Sequence, residues 1–213
     1  MKKPYEALLF DMDGILIDVT QSYRKAIQQT ASYFLKREVD MTEVNEIKSK
    51  VGMNNDWDAT YGLINNRLTS YEEVKKLFQN IYWGTTNIRG LIQNEKLLVS
   101  RKQLLQLKRI YLKMGIATGR PREEAQYILD RFKLNDIFEV LIVKEDTEKE
   151  KPFPDPILKA MDMLQVRKTI YIGDSPSDVV AATAAKIPCI YVGKQDMGTV
   201  MFESMSEVID YLL

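Results

Sequence analysis

The sequence predicts an α/β protein, a parallel-sheet core interrupted near its start by an α-helical insertion. Two observations carry this expectation. Short apolar strands alternate with helical stretches from Leu97 onward, and a long all-helical block separates the first strand from the rest. The expected division is residues 1–17 and 93–213 as the α/β core, with residues 18–92 as a helical cap domain.

The elements follow in order. Ala7 to Phe10 reads as a short buried strand, bounded by charge and then by Gly14. After Asp18 the pattern changes, and Tyr23, Ile27, Thr30 and Phe34 recur at helical spacing. Thr42 to Lys50 reads as a second helix. Asp56 can cap a third, carrying Trp57, Tyr61, Ile64 and Leu68, with core packing as the simpler role for Trp57 and Tyr61. Ser70 and Glu73 form a capping-box pair ahead of Val74, Leu77, Phe78 and Ile81. Ser100 and Gln103 offer a second box before Leu104, Leu105 and Leu107. Tyr111 to Ala117 reads as a strand ending at Thr118-Gly119, and Pro121 suits the first turn of the helix behind it. Phe138 to Val143 is the next strand, and Asp155-Pro156 opens a helix with Ile157, Met161 and Leu164. Thr169 to Ile172 is a strand closed by Gly173-Asp174, followed by a helix over Val179–Ala185. Cys189–Val192 is the last expected strand and Ser206–Leu212 the closing helix.

Composition narrows the chemistry. Thirty basic residues balance thirty acidic ones, so bulk charge gives no sign of a nucleic-acid partner. The chain has no histidine, which removes Ser–His–Asp and Cys–His catalysis and the usual zinc sites. Its one cysteine, Cys189, permits neither an intrachain disulfide nor a cysteine-clustered metal, and its apolar strand makes it an inert thiol. No long uncharged apolar window occurs, and Asp11 interrupts the first apolar run too early for a signal-peptide core; the expectation is a cytoplasmic protein with no membrane partner.

Polar residues gather where strands should end. In an open α/β sheet, ligands bind beyond the carboxyl ends of the strands. Asp11 and Asp13, Thr118 and Gly119, Lys151, and Asp174 and Asp178 all fall at such ends. Asp11 and Asp13 stand two apart on an extended segment and so face one side. Several carboxylates in one pocket repel each other, and an all-oxygen donor set suits Mg²⁺ rather than zinc. A hydroxyl, a glycine amide at a helix start and a lysine suit a phosphate group. An aspartate can then act as nucleophile, with a second carboxylate as acid and base.

The segments FDMDGILID, IATGRP, EKPFP and YIGDSPSDVVAA resemble, in order and in strand context, the four signatures of the haloacid dehalogenase superfamily. The helical insertion resembles the subfamily that includes phosphoglycolate phosphatases, β-phosphoglucomutases and haloacid dehalogenases. The resemblance implies a Rossmann-like core with a helical cap and a phosphatase that works through an aspartyl-phosphate. It implies that Asp11 is the nucleophile and a magnesium ligand. Asp13 would be the acid and base, with its backbone carbonyl on the metal. Thr118 and Gly119 would hold the phosphate, Lys151 would neutralise the nucleophile–phosphate pair, Asp174 would ligate magnesium, and Asp178 would support the metal or Lys151.

The metal-independent dehalogenase branch generally lacks an aspartate at the place of Asp13, so this chain reads as a phosphatase. A β-phosphoglucomutase-like phosphomutase is the alternative within the fold, disfavoured by the missing cap histidine. A non-catalytic phosphometabolite-binding protein is the alternative outside it, disfavoured because every expected catalytic residue is present. The expected partner is a small phosphorylated metabolite. Phosphoglycolate, a small sugar phosphate and an amino-alcohol phosphate all satisfy the motifs, and neither monomer nor dimer is favoured. In the cap, Asn54, Asn55 and Asp56 are either substrate contacts or a helix cap and turn. Arg120 is either a substrate contact or one half of a salt bridge.

Overall fold

The computed structural model describes residues 5–50, 53, 55–66, 68–111, 113–197 and 199–213. The chain forms two compact units, Met1–Ile17 with Leu97–Leu213, and Asp18–Lys96.

The first unit is built on a six-stranded sheet: β1 (Ala7–Phe10), β2 (Lys113–Ala117), β3 (Val140–Ile142), β4 (Thr169–Gly173), β5 (Cys189–Val192) and β6 (Val200–Phe202), in the order β6-β5-β4-β1-β2-β3. Each neighbouring pair is parallel. The chain runs outward from β1 to β3, then returns to the other side of β1 with β4. This reversal places the topological switch between β1 and β4, where a ligand crevice belongs. β1 is buried along its whole length, as a central strand covered on both faces must be.

Among the described residues the unit's α-helices are α5 (Arg101–Tyr111), α6 (Arg122–Phe132), α7 (Asp155–Leu164), α8 (Pro176–Ala184) and α9 (Met205–Leu212), α1–α4 being those of the second unit below. Leu9, Ala117, Ile142 and Tyr171 share one apolar cluster with Ile157 and Leu164 of α7 and Val179 of α8. Side chains alternate along a strand, so Leu8, Phe10, Ile116 and Ile172 turn to the opposite face. These are fully buried as well.

The second unit packs α1 (Tyr23–Leu35), α2 (Met41–Lys48), α3 (Asp56–Ile64) and α4 (Tyr71–Trp83) against one another. Tyr23 stacks on Tyr82 with ring centroids 4.3 Å apart. Beneath them Glu95, almost fully buried, accepts hydrogen bonds from Ser22 Oγ at 2.6 Å and Tyr82 Oη at 3.0 Å. A buried carboxylate is tolerated because donors meet it.

The α/β class with a parallel sheet agrees with the sequence expectation; the differences are local. The expected strand at Tyr111 begins instead at Lys113, because Tyr111 ends α5 and its hydroxyl donates to Leu212 O. The helical block is not wholly helical, since Gly84–Thr85 and Ile88–Arg89 form a small antiparallel ladder. β6 had no clear sequence signal. It is three residues long, at the sheet edge, with none of its residues fully buried.

Candidate active site

The site grows from the carboxyl end of β1. Asp11 continues the strand, its N–H donating to Ile172 O at 2.8 Å. The chain then turns sharply at Gly14, whose φ of +73° suits a residue without a Cβ. An added Cβ there would lie 1.9 Å from Asp174 Oδ2. The turn after β1 and the end of β4 therefore close on each other only because position 14 is glycine.

Lys151, from the segment between β3 and α7, is buried at the centre. Its Nζ lies 2.8 Å from Asp11 Oδ1 and 2.6 Å from Asp178 Oδ1. It also donates to Tyr171 Oη at 3.0 Å, and that hydroxyl donates to Ala117 O at 2.9 Å. Asp178 is held from its other side. Its Oδ2 accepts from Ser175 N–H at 3.0 Å and Ser175 Oγ at 2.7 Å, closing a capping box at the start of α8. One carboxylate thus fixes a helix end and a buried ammonium together.

Asp11, Asp174 and Asp178 offer carboxylate oxygens that all lie within 4.8 Å of one another. Burial and the charges of Asp178 and Asp13 outweigh the pull of Lys151 and push the Asp11 carboxyl up to about 7. Burial, then Asp11 and Asp178, drives Asp174 well above the ordinary carboxylate range. Burial opposes the charge on Lys151, but the two facing carboxylates hold its ammonium well above the usual value. One ammonium among three carboxyl groups leaves the cluster short of positive charge, which a divalent cation could supply. The donors are hard oxygens, and the group fits such an ion.

Thr118 and Gly119 follow β2. Thr118 N–H continues the sheet to Ile142 O at 3.0 Å, and its hydroxyl accepts from Arg120 N–H at 3.2 Å. Gly119 is exposed, with open space where a side chain would stand. Arg120 turns inward. Its Nε lies 2.5 Å from Asp13 Oδ1, so the Asp13 carboxylate points to Arg120 and lies outside the three-carboxylate group.

In the helical unit, Asn55 is the N-cap of α3, its Oδ1 accepting from Trp57 N–H at 2.9 Å and Asp58 N–H at 3.4 Å. Asp56 pairs with Lys48 at 2.8 Å. Asn54 lies outside the described residues. Tyr171, Ser175 and the close approach at Gly14 escaped sequence reasoning. Tyr171 reads there as one more apolar strand position, although a tyrosine within a buried strand needs a partner for its hydroxyl, and that was the available signal.

Comparison with known proteins gives the family. Residues 8–192 match the family model described as haloacid dehalogenase-like hydrolase, and the chain belongs to that family. It is an enzyme, a hydrolase of the phosphatase kind found there. It is 36% identical over 194 residues to an imidazoleglycerol-phosphate dehydratase of Phytophthora nicotianae, a match covering 87% of this chain but only 42% of that protein. It is 27% identical over 194 residues to the phosphoglycolate phosphatase of Photorhabdus laumondii, covering 88% of this chain and 80% of that one. Among solved structures, a putative phosphoglycolate phosphatase from Lactobacillus plantarum superposes with a TM-score of 0.78 at 19% identity, over 99% of this chain and 100% of that one. CbbY from Rhodobacter sphaeroides, in complex with phosphate, does so with a TM-score of 0.75 at 18% identity, over 96% of each chain. At these identities the two structures speak to the fold alone.

Proposed function

We propose that this phosphatase hydrolyses a small phosphomonoester metabolite with Mg²⁺ through an aspartyl-phosphate on Asp11. The observation that carries the reading is Lys151 set between Asp11 and Asp178, beside a third carboxylate, at the switch point of the sheet.

In the first step an Asp11 carboxylate oxygen attacks phosphorus, and the bond from phosphorus to the ester oxygen breaks. Asp13 gives the departing oxygen its proton. In the second step water attacks phosphorus, Asp13 takes the water's proton, and the acyl-phosphate bond breaks to return the Asp11 carboxylate and free phosphate. Thr118 and Gly119 receive the phosphate oxygens, and Lys151 balances charge between nucleophile and phosphoryl group. Asp11, Asp174 and Asp178 with the Asp13 carbonyl would hold Mg²⁺, which supplies charge neutralisation at the phosphoryl oxygens. Phosphoglycolate, small sugar phosphates and amino-alcohol phosphates are the candidate substrates. The reading includes a cytoplasmic setting; among the described residues no helix is long and apolar enough to cross a membrane.

The test is phosphate release from a panel of phosphomonoesters, with Mg²⁺ and with EDTA, using Asp11→Asn as the blank. Turnover that needs both Mg²⁺ and Asp11 is the expected result. Turnover retained by pure Asp11→Asn protein would overturn the reading.

A further inference from the structure

Arg120 occupies an unusual position for a cation in an anion-binding site. Its side chain is only 1% exposed, whereas that of Asp13, its partner, is 30% exposed. A guanidinium so deeply buried is a poor first contact for an incoming substrate, and its burial is costly unless a carboxylate meets it. Asp13 Oδ1 does so at 2.5 Å from Nε. The backbone of Arg120 is itself fixed on both sides, its N–H donating to Thr118 Oγ1 at 3.2 Å and its carbonyl accepting from Lys144 N–H at 3.0 Å. The planar, pre-organised guanidinium therefore reaches Asp13 from an anchored stem.

Asp13 sits in the turn after β1 with a partly exposed side chain, and a fixed guanidinium beside it narrows the rotamers it adopts. We propose that Arg120 is a positioning residue for proton transfer, holding the Asp13 carboxyl group toward the leaving oxygen, rather than a contact for the substrate. This rests on the phosphatase reading above, in which Asp13 serves as the acid. The second assigned role of Asp13, activating water, falls after the phosphoryl group has left the substrate and does not enter kcat/KM when the first transfer is irreversible.

The consequence is selective. An alkyl phosphate leaves as a strongly basic alkoxide and needs the proton, whereas 2,4-dinitrophenyl phosphate leaves as a stable phenolate and does not. Arg120→Met should lower kcat/KM for an alkyl phosphate about a hundredfold, the usual scale of general acid catalysis. For 2,4-dinitrophenyl phosphate the change should stay within about threefold. Asp13→Asn should lower kcat/KM for the alkyl phosphate at least as far as Arg120→Met does, and adding Arg120→Met to it should cost less than about a further threefold there, because the two residues act as a unit.

If Arg120→Met does not fold, Arg120→Lys should show the same selective loss in smaller degree. Equal losses on both esters, in protein that melts like the wild type, would make Arg120 a substrate contact and overturn the proposal. Additive losses in the Asp13→Asn background would overturn it as well. In both cases wild-type turnover, abolished by Asp11→Asn, leaves the phosphatase reading standing. Turnover of either ester that survives Asp11→Asn undiminished would overturn that reading, and the positioning role with it.

Discussion

Asp178 shows at the level of one residue how the site is fixed before any ligand arrives. Its two oxygens serve different masters, Oδ1 the Lys151 ammonium and Oδ2 the first turn of α8. Gly14 does the complementary work by leaving space. Gly14→Ala would drive a methyl group into Asp174 and force a left-handed backbone on a residue with a Cβ. Activity should fall on the order of a hundredfold, the cost of misplacing reacting groups by about an ångström, while circular dichroism shows the fold retained. Cys189 gives a control outside the reacting groups. Burial, with a smaller push from Asp178, lifts its thiol to about 12, against an ordinary 9.0. At pH 8 its thiolate fraction, and with it the rate of reaction with a disulfide reagent, should be roughly a thousandfold below that of the unfolded chain. Equal rates in native buffer and in denaturant would contradict this.

At the scale of elements, helix starts carry much of the local order. α2, α4, α8 and α9 each begin with a complete capping box, and the Ser100–Gln103 pair is made ahead of α5. Asn55 caps α3, and Asn55→Ala should cost about 1 kcal/mol in chemical denaturation. A loss much smaller than that would mean the cap contributes little. The α2 box adds a pH signature. The Arg37 guanidinium and the Asp40 backbone hold the Glu43 carboxyl down to about 2, against an ordinary 4.5. A depressed folded value means that the stabilisation is present above about 4.5 and is lost as pH falls through about 2. Carboxyl NMR should place the Glu43 titration near 2, and Arg37→Met should return it toward 4.5.

At the scale of the whole molecule, the parallel sheet is the device that makes a site from remote segments. Asp11 stands more than a hundred residues of chain before Thr118, Lys151 and Asp174, yet all sit beyond strand ends on one edge of the sheet. A cation bound by these carboxylates stabilises the folded state only. Melting temperature should therefore rise with Mg²⁺ concentration, return on addition of EDTA, and lose this response in Asp174→Asn. An unchanged response in that variant would remove Asp174 from the metal site.

The sequence by itself determined the α/β class, most strands and helices, the family and the spacing of the motif residues. These are written in local signals: apolar runs, alternating or helical periodicity, and capping pairs such as Ser70 with Glu73. Tertiary structure alone decided what each polar group faces. Arg120 was equally a substrate contact or a salt bridge in one dimension; packing turned it inward to Asp13. Tyr171 read as an apolar strand residue, yet its hydroxyl sits against Lys151 because β4 lies beside β1. The short edge strand β6 and the ladder at Gly84–Thr85 also lacked a local signal, since each is held by a neighbour rather than by its own pattern. Periodicity records which face of an element is buried. Hydrogen-bond and charge partners are set by long-range juxtaposition, to which a one-dimensional pattern is blind.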